Sequence, residues 1–322
     1  MTSPRPAASD SALTAPLDLA SPWGGRSRTT DLGGPVHWVD FGGPESPGAE
    51  DLPPVVLVHG LGGSHLNWVQ TGPQLARSRR VVALDLVGFG LTPADGRSTS
   101  VQANADLLAR FVEEVVGSPA VLVGNSMGGM ISLLLAADRP DLVVGLALVD
   151  PSLPSTGHRP DRSVTVAFAA YSIPFVGERF ITRTNRRFTE RERVQRTTDL
   201  CFADPTRSDD AVFDANVTLT AYRSTLPGLE SAYLGAARSL LGVLRASRRY
   251  AAQIRSIDAP VLLVHGEQDR LVPVGSARRA AEANPAWTSV FLPGVGHTPQ
   301  LEVPDVVLEH LEPWLDDVAR GA

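Results

Sequence analysis

Residues 120–138 read AVLVGNSMGGMISLLLAAD, and they leave the chain few ways to fold. A short β-branched run ends in Gly124-Asn125-Ser126-Met127-Gly128-Gly129, and an apolar run long enough for a helix follows. This is strand, tight turn, helix, with a serine at the apex and glycines two residues to either side. It is the G-x-S-x-G elbow, in which the serine takes a strained backbone conformation to lift its hydroxyl clear of the sheet. Gly124 and Gly128 remove the Cβ atoms that would collide as strand and helix close together. The helix that starts at the turn aims its first N–H groups at developing negative charge.

The rest of the chain supplies the sheet that such an elbow needs. Residues 54–59 (PVVLVH), 80–86 (RVVALDL), 144–149 (VGLALV) and 260–265 (PVLLVH) are continuous apolar runs. That pattern belongs to strands buried on both faces of a parallel sheet. Residues 35–41 and 288–292 read as further strands, and residues 42–54 as a Gly/Pro/acid-rich turn region. Helices are predicted over residues 66–77, 101–116, 276–283 and 304–318, the last bent at Pro313. Alternating strands and helices predict an α/β fold with a mainly parallel sheet and right-handed crossovers. Residues 152–249 break the rhythm: no bounded strand appears, and the stretch reads as a helical insertion after the sixth strand. The expected organisation is a disordered leader over 1–30, a core from 31–151 and 250–322, and a helical lid over 152–249.

Composition narrows the chemistry. The 322 residues, 43% of them hydrophobic, suffice for one large domain with an insertion. A formal net charge of −6 gives no general reason to expect nucleic acid or an anionic membrane as partner. Cys201 is the sole cysteine, so this chain forms no internal disulfide and no Cys-rich metal site. All 29 basic residues are arginine, which excludes a Schiff-base or P-loop lysine. The leader lacks the apolar core of a secretory signal. The Gly-Asn-Ser-Met-Gly-Gly interruption turns the most apolar window from a membrane span into buried strand plus helix. A soluble, cytoplasmic protein with no integral membrane segment is the expectation.

His59, Ser126, Asp150, Asp269 and His297 all fall at or just past predicted strand ends, on the rim where ligands bind in open α/β sheets. These residues resemble the α/β-hydrolase superfamily over roughly residues 35–149 and 260–318. His59-Gly60-Leu61-Gly62-Gly63 resembles the family's HGxGG loop, and Asp85-Leu86-Val87-Gly88-Phe89-Gly90 its D-x-x-G-x-G turn. Gly266-Glu267-Gln268-Asp269 resembles the acid loop, and Gly296-His297 the histidine loop. The order Ser126, Asp269, His297 is the one this fold uses. The resemblance implies Ser126 as nucleophile, His297 as its base, and Asp269 as the acid that orients the ring. The backbone N–H groups of Leu61 and Met127 would form the oxyanion hole. Glu267 and Asp150 are rivals for the acid. His59 is expected to shape the oxyanion loop, and Asp85 to bond its own turn. His37, His65, His158, His265 and His310 show no partner pattern. Nothing has metal-ligand spacing, and no cofactor is expected.

Serine at the elbow argues against haloalkane dehalogenases and epoxide hydrolases, which carry aspartate there. The elbow is similar to that of the meta-cleavage-product C–C hydrolases. The Gly-Leu-Gly-Gly-Ser oxyanion loop and the His297-Thr298-Pro299-Gln300-Leu301-Glu302 run are closer to bacterial esterases and lipase-like hydrolases. Hydrolysis of an apolar, small-molecule carboxylic ester is therefore expected, with no nucleic-acid partner. C–C hydrolysis and a non-catalytic ligand receptor are the alternatives. Phe168, Tyr171, Ile173, Phe175 and Leu226 are candidates for an acyl pocket or, equally, for the core of the lid. Arg183, Arg186, Arg187, Arg191, Arg193 and Arg196, interleaved with acids, read as a solvated helix face.

Overall fold

Among the residues described by the computed structural model (17–44, 52–154 and 160–321), eight strands form one sheet. They are β1 (Arg26–Asp31), β2 (Pro35–Gly42), β3 (Val55–Val58), β4 (Val81–Leu84), β5 (Ala120–Asn125), β6 (Val143–Val149), β7 (Val261–Gly266) and β8 (Thr288–Leu292). Their spatial order is β1-β2-β4-β3-β5-β6-β7-β8. The first two pairings are antiparallel and the rest parallel. Helices α1 (Gly72–Leu75), α2 (Val101–Phe111) and α3 (Met127–Asp138) precede β6. Between β6 and β7 come α4 (Arg162–Ser172), α5 (Val176–Arg187), α6 (Glu190–Cys201), α7 (Asp210–Ser224), α8 (Leu229–Arg245) and α9 (Ser247–Arg255). Then follow α10 (Val274–Ala283), between β7 and β8, α11 (Pro299–Glu302) and α12 (Pro304–Gly321).

The pleat explains why the central strands are apolar throughout. Val56, Val58, Leu122, Leu146 and Leu148 join a core with α2, α3 and α9 on one face. Val55, Leu57, Val121, Val123 and Ala147 join a core with α12 on the other. Successive side chains alternate between the faces, and helices cover both.

Three boundaries differ from those the sequence predicts. Residues 1–16 of the expected leader lie outside the described residues, as do residues 45–51 of the turn region. Arg26–Asp31, assigned to the leader except for its last residue, is a strand paired along its length with β2. Its polar, half-exposed residues hide it from a hydrophobicity pattern, because an antiparallel edge strand has little core to face. The helix predicted over 66–77 is a 3₁₀ turn (His65–Trp68) followed by the short α1. The Ser64 hydroxyl accepts from the Leu66 N–H, and the Asn67 side chain accepts from the Ser64 N–H, which caps a single turn. Pro73 restarts the helix where its missing N–H costs nothing.

The helical stretch runs on past residue 249 to Arg255, because Tyr250 and Ile254 lie one turn apart and both enter the core under α3. The Tyr250 hydroxyl donates to the Ser152 carbonyl at 3.0 Å, joining the last helix of the insertion to its first residue. Further along, Thr99 donates to the Ala232 carbonyl at 2.7 Å. Arg223 of α7 donates to the carbonyls of Gly90 (2.7 Å) and Gly88 (2.6 Å), which clamps the turn after β4.

Tyr250→Phe should lower stability by about 1–2 kcal/mol, because it leaves the buried Ser152 carbonyl without this donor. Urea unfolding of the variant beside the wild type measures it; an unchanged midpoint would mean that the carbonyl finds another donor.

Candidate active site

Ser126 sits at φ 55° and ψ −116°, a conformation that L residues rarely adopt. Three backbone hydrogen bonds hold it there. Its N–H donates to Val149 O (3.0 Å), and its carbonyl accepts from Met130 N–H (3.1 Å) and Ser152 N–H (3.0 Å). The two elbow glycines answer different neighbours. A Cβ on Gly124 would meet Gly128 O at 2.7 Å, within the elbow itself. One on Gly128 would lie 2.2 Å from Val58 O, so that glycine is required by the neighbouring β3.

The histidine arrives from the loop after β8. Its N–H donates to Cys201 O at 2.6 Å, at the end of α6. Its carbonyl accepts from the Asn125 side chain (3.1 Å), which also donates to Val149 O (3.0 Å). The loop is braced by Glu302, whose buried carboxylate accepts from the N–H groups of Gly296 (2.8 Å), Ala203 (3.1 Å) and Asp204 (3.0 Å). Asn125 and Glu302 are bracing residues that sequence reasoning did not single out. Glu302 was visible as the last residue of the histidine-loop motif.

Asp269 Oδ2 lies 2.7 Å from His297 Nδ1, while Oδ1 accepts from the N–H groups of Leu271 (2.7 Å) and Val272 (3.0 Å). Burial opposes ionisation of Asp269, but the charge of His297 and the hydrogen bonds outweigh it and hold its pKa below the usual range. An ionised Asp269 accepts the hydrogen bond of Nδ1–H, which leaves the lone pair of the ring on Nε2. Of the rivals, Glu267 pairs with Arg278 away from the histidine.

Asp150 follows the last residue of β6, fully buried, with φ 44°. It accepts from Gly266 N–H at 3.0 Å and makes no contact of its own with the His297 ring among the hydrogen bonds described. Burial, then the charge of Asp269, push its pKa well above the usual carboxylate value, which favours its neutral form beside an ionised partner. His265, which showed no partner pattern in sequence, lies between the two acids at 3.6 Å from each. Its Nε2–H donates to Val272 O at 2.9 Å, and burial lowers its pKa.

Leu61 lines the cavity in front of Ser126, and Met127 opens α3 with its side chain in the core. The Met127 N–H belongs to the first turn, whose N–H groups have no partner within the helix. His59 Nε2 accepts from Leu86 N–H (3.0 Å), so Nδ1–H donates to Gly60 O (2.8 Å). Burial lowers its pKa to about 4, which keeps this neutral arrangement. Asp85 does bond its own turn, through Leu91 N–H at 2.8 Å. It also receives the Nδ1 atoms of His37 (2.7 Å) and His65 (2.9 Å), brought to it by β2 and the oxyanion loop. His158 lies outside the described residues.

Ser126 and His297 open into one cavity of about 940 Å³. Its far wall is aromatic: the ring of Tyr171 lies 5.6 Å from those of Phe168 and Tyr233 and 5.9 Å from that of Phe180. Cys201 also lines it, but burial pushes the thiol up to about 12, which leaves it a poor nucleophile. Phe168 and Tyr171 therefore occupy the expected pocket. Ile173 and Phe175 do not, since the turn between α4 and α5 carries them out to solvent. Leu226 is not among the lining residues either.

The alpha/beta hydrolase fold family matches this sequence over residues 53–304. The chain belongs to that family. This hydrolase-fold protein is 30% identical over 248 residues to the dihydrolipoyllysine-residue acetyltransferase component of the acetoin cleaving system of Cupriavidus necator. That match covers 77% of this chain and 59% of the relative, so the chain spans about three fifths of the relative's length. It is 29% identical over 275 residues to the pimeloyl-[acyl-carrier protein] methyl ester esterase of Aromatoleum aromaticum, covering 84% of this chain and 99% of that one. The crystal structure of the haloalkane dehalogenase DbeA from Bradyrhizobium elkani is similar at a TM-score of 0.74 and 23% identity, over 92% of this chain and all of that one (100%). Such a likeness carries the fold alone, and the chemistry must come from the site.

The Asp150 carboxyl makes a pH prediction. The unfolded chain releases this proton near pH 4, while the folded protein, whose pKa is raised, keeps it. Between those two values the unfolded state binds fewer protons, so this group makes stability fall as pH rises. Asp150→Asn has no proton to lose, and its stability relative to wild type should climb from about pH 4 upward. Urea midpoints across that range test the sign; a variant whose midpoint falls relative to wild type as pH rises would mean that Asp150 is ionised.

Proposed function

We propose that this chain is a serine hydrolase that cleaves carboxylic esters through an acyl-enzyme. The observation that carries this reading is the shared cavity: Ser126 on its strained elbow and His297, bonded to Asp269, face the same mainly apolar space. In this reading His297 Nε2 takes the Ser126 proton as the hydroxyl attacks the ester carbonyl, then delivers it to the departing alkoxide. Asp269 holds the ring and stabilises the imidazolium. Leu61 and Met127 N–H groups hold the tetrahedral oxyanion, each worth about 3 kcal/mol. Water then repeats the cycle on the acyl-enzyme. Residues 152–249, with the helical run continuing to Arg255, act as a lid that supplies the acyl wall.

The engagement of the cavity's arginines favours a neutral ester over an acidic dienoate for C–C cleavage. Arg223 donates to Gly88 and Gly90, Arg193 to Ser224 (3.1 Å), and Arg245 to Ser172 (3.0 Å), while Arg196 lies over the Phe188 ring. A receptor would have no need of Ser126, Asp269 and His297 together. The methyl ester esterase named among the relatives supports the same bond type.

The test is hydrolysis of p-nitrophenyl esters from acetate to laurate. Ser126→Ala should abolish release while leaving thermal stability nearly unchanged, and the chain-length optimum sizes the pocket. Asp269→Asn should cost roughly 10⁴-fold in kcat, as loss of the orienting acid does elsewhere. Asp150→Asn should retain far more activity than Asp269→Asn. Substantial release by folded Ser126→Ala would sink the mechanism, and the reverse ranking of the two aspartates would move the acid.

A further inference from the structure

Helices α4 and α5 and the turn between them expose apolar side chains, of which only Phe180 also lines the cavity. Phe175 is 82% exposed, Val166 56%, Ile173 51%, Val176 45% and Phe180 39%. These are the only large apolar side chains so exposed among the described residues, and all lie on α4, on α5 or in the turn between them. The corner is built, not loose. Arg238 donates to the carbonyl of Tyr171 at 2.8 Å and pairs with Glu178 at 3.0 Å, and Phe175 is held at φ 64°, which is rare for a bulky residue. Isolated exposed apolar residues need no explanation, but four between Ile173 and Phe180, around a single turn, mark an interaction surface.

The charge beside the patch says what it meets. On α5, Val176, Phe180, Arg183 and Arg187 follow at intervals of four, three and four residues and so share one face. Arg179 and Arg186 are exposed beside them. Glu178, the single acid of the helix, points the other way to Arg238. The face thus runs from apolar to cationic with no carboxylate of its own. Apolar side chains that enter the acyl boundary, with arginines at headgroup level, are the features of a helix that lies in a membrane interface. Phe180 and Ile181 of the same helix also line the cavity, so the patch borders the pocket.

We propose that the α4–α5 corner docks on an anionic lipid surface. Phe175, Ile173 and Val176 insert between the lipids, and Arg179, Arg183, Arg186 and Arg187 meet the negative headgroups. The overall charge of −6 does not oppose this, because screening confines the interaction to groups within about 10 Å of the surface. Docking does not depend on the ester-hydrolase reading and is measured without it.

The experiment is co-sedimentation of the full chain with vesicles of phosphatidylcholine, pure or mixed with phosphatidylglycerol. Wild type should bind the mixed vesicles well above the neutral ones, and less as salt is raised. Phe175→Asn, a residue type that tolerates positive φ, should weaken binding by roughly tenfold. Arg183→Gln combined with Arg187→Gln should weaken it by roughly 25-fold, about fivefold per arginine. Circular dichroism confirms that both variants fold, and Phe175→Asn should hydrolyse a water-soluble short-chain ester as wild type does, since Phe175 does not line the cavity. Equal binding to neutral vesicles, no sedimentation of wild type, or variants that sediment like wild type would overturn the proposal. So would a dimer of this chain that Phe175→Asn dissociates while vesicle binding is absent.

Discussion

Everything at the candidate site depends on how closely the start of α3 approaches the carbonyl ends of β3. Gly128 meets Val58 O at a distance no side chain would tolerate, which places the helix N-terminus between two strands. Ser126 is then forced into its unusual backbone conformation, and bonds to Val149, Met130 and Ser152 keep it there. Strain of this kind costs on the order of 1–3 kcal/mol and persists only where the surroundings over-determine it. Here both faces of the sheet are buried, so the elbow rests on a platform that cannot yield.

Beside that platform two aspartates lie within reach of each other, and their surroundings separate their roles. Asp269 receives two backbone N–H groups and an imidazole, and its ionised form is favoured. Asp150 receives one N–H and faces the charge of Asp269, so its neutral form is favoured. One negative charge is thereby kept where a ring must be oriented. A second ionised carboxylate in so dry a place would be costly.

The sheet and much of this site were legible in the sequence because central strands of a parallel sheet are apolar on both faces and the elbow has fixed glycine spacing. The order Ser126, Asp269, His297 pointed to three loops on one rim, and Asp269 Oδ2 lies 2.7 Å from His297 Nδ1. What escaped the sequence was set by neighbours in space. β1 looked like leader because an edge strand of Arg, Ser and Thr carries no core signal. His37 found Asp85 because β2 lies beside β4, and His65 because β3, whose following loop carries it, lies on the other side of β4. Ile173 and Phe175 were expected inside because apolar residues usually are; helix direction at a turn turned them out. Net charge likewise concealed the arginine face of α5, since a sum over the chain says nothing about where the charges sit.

The Cys201 carbonyl that accepts the His297 N–H belongs to the helical insertion, not to the sheet. Glu302 reinforces the same junction by gripping Ala203 and Asp204 together with Gly296. The insertion is therefore mechanically two parts. Its α6–α7 junction is bonded to the histidine loop through Cys201, Ala203 and Asp204. Its α4–α5 arm has no comparable grip on that loop. The insertion thus braces the histidine loop through its α6–α7 junction, while its α4–α5 arm is tied instead to α8 through Arg238 and Arg245.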